Sequence, residues 1–422
     1  MGQTLARRDV DRGLRFYKEQ RFEEAIECWS RAMKGTKKLL QKFDILGFLC
    51  MSYYDIGKYR DMSSCAVQQL EIANQADVPG MHSEAYLNLA RSYEKLSEFK
   101  KAISFCNDCS QYETKSESFQ GHVALCLGKC HFGQSDLMRT LQNYDKALAK
   151  ARAAEDKVLE LLVYSELGDY YTALKDRESS LSYHTRASEI ARGLELATPN
   201  SKYHRLTAVN VAVPCWQLGR YNEAMEHCED AMKMAITCAD RPVQARCLLN
   251  FADINRKRND LERAYPRYQS AFSIMSEIGD RLGQVDALAG MAKTMAALNQ
   301  WDQAIELNKR SLITAEDIGN TLRRLRCHYR LEGIYEALDD IPNADQHMLI
   351  CRRLTDRLEL YCGVCSETIA HQPDKLEPLP CGHLIHERCL VHLSRSTWGR
   401  AGRKRPCPSC RRRSAANPAM YT

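Results

Sequence analysis

One position recurs along most of this chain at a nearly constant interval, and that recurrence limits the fold more than any single residue does. It is occupied by Ala25, Met62, Ala102, Thr140, Ser180, Ala224, Ala264 and Ala304, at intervals of 37, 40, 38, 40, 44, 40 and 40 residues. A unit this short cannot bury its own apolar face. Repeated at a fixed period it stacks on its neighbours, so a chain of 422 residues becomes an array and not one globular core. Within each unit the segments are long, apolar at i, i+3 and i+4, and almost free of proline, which predicts helix. Pro79, Pro199, Pro242 and Pro342 are expected mostly in connections. Pro214 and Pro266 sit inside helical patterns, where a missing N–H should kink or end the helix. The longest interval contains Gly193, Pro199 and Asn200, so a bend or break is expected over residues 193–202.

The units share a second pattern. The first carries Gly13, Phe16, Phe22, Ala25, Trp29 and Ala32; the fifth Gly168, Tyr171, His184 and Ala187; the seventh Ala252, Leu261, Ala264, Tyr268 and Ala271. This resembles the tetratricopeptide (TPR) repeat, in which small residues let two antiparallel helices approach and aromatic residues fill the space between units. The expected fold is all-α: a TPR-type solenoid of about eight units over residues 7–330, its period longer than the usual ~34 and so needing longer helices or turns. A degenerate ninth pair begins at Leu331–Tyr335. Its second helix, Ala344–Tyr361, aligns Met348, Cys351, Leu354 and Leu358, so residues 331–361 cap the array or form a short coiled coil. Such solenoids bind peptides or helices in a concave groove. Asn88, Asn210 and Asn250 recur two residues before a small packing residue, and the resemblance turns that position toward the groove, where an amide can bond a peptide backbone. No asparagine precedes Asn74, which removes the clamp that chaperone-binding members use in their first three repeats.

The last sixty residues or so change character. Cys362, Cys365, Cys381, His383, His386, Cys389, Cys407 and Cys410 follow the spacing C-x2-C-x15-C-x-H-x2-H-x2-C-x17-C-x2-C. Eight soft N/S ligands make two closed tetrahedral Zn²⁺ sites, the structural kind; a catalytic site leaves a position open. The segment has too few large apolar residues for a core of its own, so metal ligation supplies its folding energy, on the order of 10 kcal/mol per site. The ligand order resembles the RING-H2 finger, residues 362–411 here, followed by a basic tail over 412–422. The resemblance implies interleaved sites, with Cys362, Cys365, His386 and Cys389 on one ion and Cys381, His383, Cys407 and Cys410 on the other. It also implies docking of a ubiquitin-charged E2 by Val364, Leu379, Pro380, Trp398, Pro408 and Arg411, with no covalent nucleophile in the chain. The stretch Ser394–Arg405 is longer than such fingers usually have.

Charge is placed unevenly. Residues 360–422 hold 10 Lys and Arg against 4 Asp and Glu, which is the whole of the formal net charge of +6. The basic run suits acidic protein or phospholipid. Without interleaved aromatics it does not predict specific nucleic-acid binding. No apolar run reaches 18 residues and no secretory leader is evident, so a cytosolic protein, or one on a cytosolic membrane face, is expected. In that compartment the 13 of 19 cysteines outside the ligand series should be small buried hydrophobes.

The chain starts Met1-Gly2-Gln3. Loss of Met1 exposes Gly2, the acceptor for N-myristoylation within a lipidation segment over residues 1–6, although Ala6 stands where Ser or Thr is usual. One myristoyl chain binds membranes at only about 10⁴ M⁻¹, so a second attraction is needed. Together the Met-Gly-Gln start, the sequence from Phe16 to Trp29, the 40-residue units and the RING-H2 finger resemble the rapsyn family of receptor-associated proteins of the synapse. That resemblance implies a myristoylated scaffold under the postsynaptic membrane of the neuromuscular junction. It would bind cytoplasmic loops of nicotinic acetylcholine receptors through the solenoid, self-associate, cluster the receptors and link them to the cytoskeleton through dystroglycan, with RING-dependent ligase activity. Two other readings use the same parts: a RING E3 ligase whose solenoid selects substrates, or a non-enzymatic TPR adaptor.

Overall fold

Two helices of mostly 17 or 18 residues, joined by short turns, form each unit, so the long period is spent on helix length. The computed structural model of the chain describes residues 2–76, 78–112, 116–197, 202–379, 383–390 and 407–409. Nine helix pairs follow one another: α1 (Gly2–Lys18) and α2 (Phe22–Gly35), α3 (Leu39–Ile56) and α4 (Tyr59–Ala76), α5 (Pro79–Lys95) and α6 (Phe99–Cys109), α7 (Glu117–Gly133) and α8 (Leu137–Ala153), α9 (Lys157–Ala173) and α10 (Arg177–Ala197). The series continues with α11 (Lys202–Gln217) and α12 (Tyr221–Thr237), α13 (Arg241–Lys257) and α14 (Leu261–Ile278), α15 (Arg281–Ala297) and α16 (Trp301–Asp317), α17 (Thr321–Ala337) and α18 (Ile341–Arg357). A hairpin of β1 (Leu376–Pro378) and β2 (Leu384–His386) follows, antiparallel with Leu376 opposite His386.

Small residues meet rings inside the pairs. A Cβ on Gly13 would lie 2.3 Å from the Trp29 indole, and one on Gly168 would lie 2.4 Å from the His184 ring. Trp29 and His184 are fully buried. Every turn from the first to the second helix of a pair contains a left-handed residue: Gln20, Gly57, Ser97, Ser135, Lys175, Gly219, Asn259, Asn299 and Asp339. That conformation reverses the chain in two or three residues, and only two of the nine are glycine. Asp136, Asp156, Asp240, Asp260, Asp280, Asn320 and Asp340 cap the following helices through their side chains.

Three expectations change. Neither Pro214 nor Pro266 ends its helix, since each removes one hydrogen bond from a helix held by packing on both sides. The ninth pair begins at Thr321, earlier than Leu331, and α17 packs on α18 as a full pair. Cys351 and Leu354 are buried in a core shared with Leu322 and Leu325 and with Ile369 and Leu376 of the C-terminal segment, so the α18 stripe packs within the array and is neither an end cap nor a coiled-coil seam. Of the expected break, residues 198–201 lie outside the described residues; on either side α10 and α11 pack against each other. The 13 cysteines outside the C-terminal segment are free thiols, all buried except the half-buried Cys238.

The superhelix closes on itself. Gln20 Oε1 accepts from Arg205 Nη1, Ser97 Oγ accepts from Leu282 N at 3.3 Å, and Ser135 Oγ donates to Asn320 Oδ1 at 3.1 Å, each pair 185 residues apart. Between Gln20 and Ser97, Gly57 abuts Pro242. One turn of the superhelix therefore takes between four and five units, and the second turn rests on the corners of the first. The seam continues past the helices: Lys175 Nζ donates to the His371 carbonyl and Asp176 Oδ2 accepts from Leu376 N at 2.9 Å. The C-terminal segment thus occupies the place of a tenth unit. Its Ile369, Leu376, Leu384 and Ile385 share one core with Tyr170, Tyr171 and Leu174.

Candidate functional site

The cysteine–histidine centre is built on the hairpin. Cys362 follows α18 and starts a tight turn in which Ser366 N donates to Cys362 O at 2.8 Å and Cys362 N donates to Glu367 O at 2.9 Å. This turn holds Cys365 beside Cys362. β2 delivers His386, and the helical turn over 387–390 delivers Cys389. The ligand atoms of Cys362, Cys365, His386 and Cys389 all lie within 4.8 Å of one another. A tetrahedral Zn²⁺ with bonds of about 2.3 Å to sulfur places its ligands at just such separations, so the donor set fits a metal ion. His386 Nδ1 faces Cys365 Sγ at 3.3 Å, while Nε2 lies 3.8 Å from Asp374 Oδ2. A carboxylate behind a histidine fixes the ring and raises its basicity as a ligand. Burial disfavours the Cys362 thiolate, but backbone N–H groups of Cys365, His386 and Val364 outweigh it and hold the thiol below its ordinary range. Burial, then the neighbouring thiols, push Cys389 up to about 12. Three cysteine sulfurs cannot share one space as thiolates without a cation among them.

Of the second ligand set, His383 and Cys407 are described, while Cys381 and Cys410 lie outside the described residues. His383 Nε2 is 3.5 Å from Glu359 Oε2. Val364 and Leu379 are half-buried against the shared core, and Pro408 is half-buried. A Cβ on Gly363 would lie 3.2 Å from the Pro408 ring, so the Cys407 segment folds over the first turn. Pro380, Trp398 and Arg411 lie outside the described residues.

The second feature is a central cavity of about 790 Å³ walled by both superhelical turns. Charged residues line it in pairs. Lys129 Nζ lies 3.3 Å from carboxylates of both Glu94 and Glu166, and Lys202 Nζ lies 3.0 Å from Asp55. Arg205, only 1% exposed, binds Asp240 at 2.7 Å, and Arg323 grips Asp286 with two bonds of 2.9 and 2.7 Å. Burial works against the Lys129 ammonium, but Glu166 and Glu94 prevail and keep it well above its ordinary range. The sequence gives no local signal of these pairs, because their members come from different units.

The asparagines are placed otherwise than expected. Asn88 Nδ2 donates to Gln69 Oε1 at 2.9 Å, and Gln69 in turn reaches Phe43 O at 3.2 Å. Asn250 Nδ2 donates to Val209 O at 3.1 Å, and Asn210 is 1% exposed. The amides of Asn88 and Asn250 tie successive units together, while Asn210 Oδ1 is buried without a hydrogen-bond partner; of the three only Asn250 reaches the cavity wall. A buried carbonyl of the preceding unit competes successfully for the amide.

Known proteins share this chain's sequence from end to end. A family model described as the rapsyn N-terminal myristoylation and linker region matches residues 1–80, and tetratricopeptide-repeat models match 83–115 and 204–277. The 43 kDa receptor-associated protein of the synapse from Tetronarce californica is 37% identical over 420 residues, covering 98% of each chain. The chain belongs to the rapsyn family. The protein of the same name from Gallus gallus is 37% identical over 416 residues, again 98% of each chain. Among solved structures, a Rap protein complexed with competence and sporulation factor superposes with a TM-score of 0.54 at 14% identity, over 77% of this chain and 99% of that one. NprR in complex with its peptide NprX gives a TM-score of 0.51 at 15% identity, over 71% and 84%. These two share the helical-repeat fold. Within the rapsyn-family region, α1 begins at Gly2.

Proposed function

We propose that this rapsyn-family chain is a peripheral-membrane postsynaptic scaffold that binds nicotinic acetylcholine receptors through its solenoid and clusters them by self-association. The observation that carries this is 37% identity over 98% of the chain to two proteins named for association with a receptor of the synapse. The match of residues 1–80 to a myristoylation region supports acylation of Gly2. Among the described residues no helix is long and apolar enough to cross a membrane, which leaves the attachment to the acyl chain and a second attraction. The basic run of the C-terminal segment, facing acidic phospholipid, supplies that attraction, and a link to the cytoskeleton through dystroglycan completes the scaffold. Intact protein made with N-myristoylation should sediment with anionic vesicles, and Gly2→Ala should stay in the supernatant. Equal sedimentation of the two would remove the lipid from the account.

The donor set of the C-terminal segment favours a second activity. Two Zn²⁺ ions, one on Cys362, Cys365, His386 and Cys389 and one on Cys381, His383, Cys407 and Cys410, would fold a RING-type surface. Val364, Leu379, Pro380, Trp398, Pro408 and Arg411 would dock an E2 there, giving a ligase for ubiquitin or a related modifier. Modifier transfer across an E2 panel, with a receptor cytoplasmic loop as substrate, should vanish in Cys365→Ala. A zinc-loaded, folded chain inactive with every E2 would leave the segment as a structural cap.

A further inference from the structure

The cavity wall carries 11 Lys and Arg against 8 Asp and Glu, and the excess is concentrated at one place. Lys293 on α15 and Arg326 and Arg330 on α17 converge there. Arg326 and Arg330 are one turn apart on the same helix face. The carboxylates nearby are already engaged. Asp286 holds Arg323 through both oxygens, and Asp253 accepts from Arg256 at 2.8 Å and from the Tyr268 hydroxyl at 2.7 Å. The two arginines rest on neutral acceptors: Arg326 on the Ala173 carbonyl, and Arg330 on Asn308 Oδ1 at 2.6 Å and Cys327 Sγ at 3.1 Å. Among the described residues none of the three cations has a carboxylate partner. Lys293 is exposed to the cavity solvent; the protein around it, and next the charge of Arg330, still push its ammonium below the ordinary range. Cationic side chains held together with no carboxylate in direct contact repel one another in the empty protein, and a bound anion relieves that repulsion.

We propose that Lys293, Arg326 and Arg330 form a carboxylate-binding site in the central cavity that takes an acidic peptide segment of a partner. A peptide suits the site better than a small phosphate, because the cavity is about 790 Å³ and has apolar lining residues, Leu249 and Ala289 among them, besides the cations. Two guanidinium groups match carboxylate geometry, and the ammonium supplies a third donor. The site stands whether or not the partner is the receptor.

The test is fluorescence anisotropy of a fluorescein-labelled octaglutamate peptide with the full-length protein at low salt. The triple variant Lys293→Gln/Arg326→Gln/Arg330→Gln should lose roughly tenfold or more in affinity. Arg412→Gln/Arg413→Gln, which thins the basic tail, should bind as the parent does. Thermal unfolding guards against misfolding: removal of repelling charges should leave the melting temperature of the cavity variant equal or higher, and octaglutamate should raise that of the parent and the tail variant but not that of the cavity variant. Undiminished binding by a folded cavity variant, or loss confined to the tail variant, would overturn the site. Displacement of the peptide by equimolar inorganic pyrophosphate would make it a phosphate site and overturn the peptide assignment.

Discussion

His184 shows how one repeat position serves stability. It stands where other units place Trp29, Tyr144 and Tyr268, and its ring covers Gly168. Neither ring nitrogen has a hydrogen-bond partner, although Nε2 lies 3.5 Å from Asp169 Oδ1. Burial, then the charge of Arg246, lower its pKa to about 3. The folded state therefore requires the neutral ring, while the unfolded chain takes up a proton near the usual value of about 6.5. The unfolded state binds more protons as pH falls below that value, so stability is complete above it and declines toward the folded pKa. Between pH 7.5 and 5 this one residue should cost about 2 kcal/mol. His184→Phe keeps a ring over Gly168 and should lose that much less than the parent over the same interval, read from urea unfolding at the two pH values. Parallel curves would show that His184 is protonated in the fold. At this scale the sequence was legible where residue size sets the packing, as in Gly13 against Trp29. It was illegible where backbone shape does: Gln20, Ser97, Ser135 and Lys175 adopt left-handed corners without the glycine that would announce them. The asparagines misled because side-chain amides serve a groove and a neighbouring carbonyl equally well.

Among the elements, α17 ties the two superhelical turns together through its cap. Asn320 Oδ1 accepts from Arg323 N at 2.8 Å, as any N-cap would. It also accepts from Ser135 Oγ, and its Nδ2 donates to Gly133 O at 2.8 Å, both on the first turn. Asp340 caps α18 by the same local bond to Asn343 N and, among the described residues, makes no seam contact. Asp340→Ala should cost about 1 kcal/mol, and Asn320→Ala about 2 kcal/mol or more, because buried donors and acceptors of the seam lose their partner as well. Denaturant unfolding measures the difference, and equal losses would mean that the seam adds nothing. Helix existence was plain from periodicity, and the ~40-residue period announced long helices. The ninth pair was blurred because its first helix carries Arg323, Arg326 and Arg330 toward the cavity, which weakens the apolar pattern.

For the whole molecule, closure is the property that no local pattern reveals. Contacts across 185 residues depend on the superhelical pitch, which sums small rotations over several units. Closure turns an open groove into a cavity and gives the C-terminal segment a docking place at Asp176 and Lys175. The eight-ligand spacing was legible because metal chemistry fixes it, and it brings Cys362, Cys365, His386 and Cys389 together. Which face that segment presents depends on docking, and so was not legible. The family relationship points the assembled surface toward a receptor at the synaptic membrane. The direct measurement is imaging of nicotinic acetylcholine receptors in non-muscle cells, expressed alone or with this chain. The account predicts diffuse receptors alone and micrometre-scale receptor clusters coincident with the chain when the two are together. Receptors that stay diffuse while the chain gathers at the membrane would contradict it.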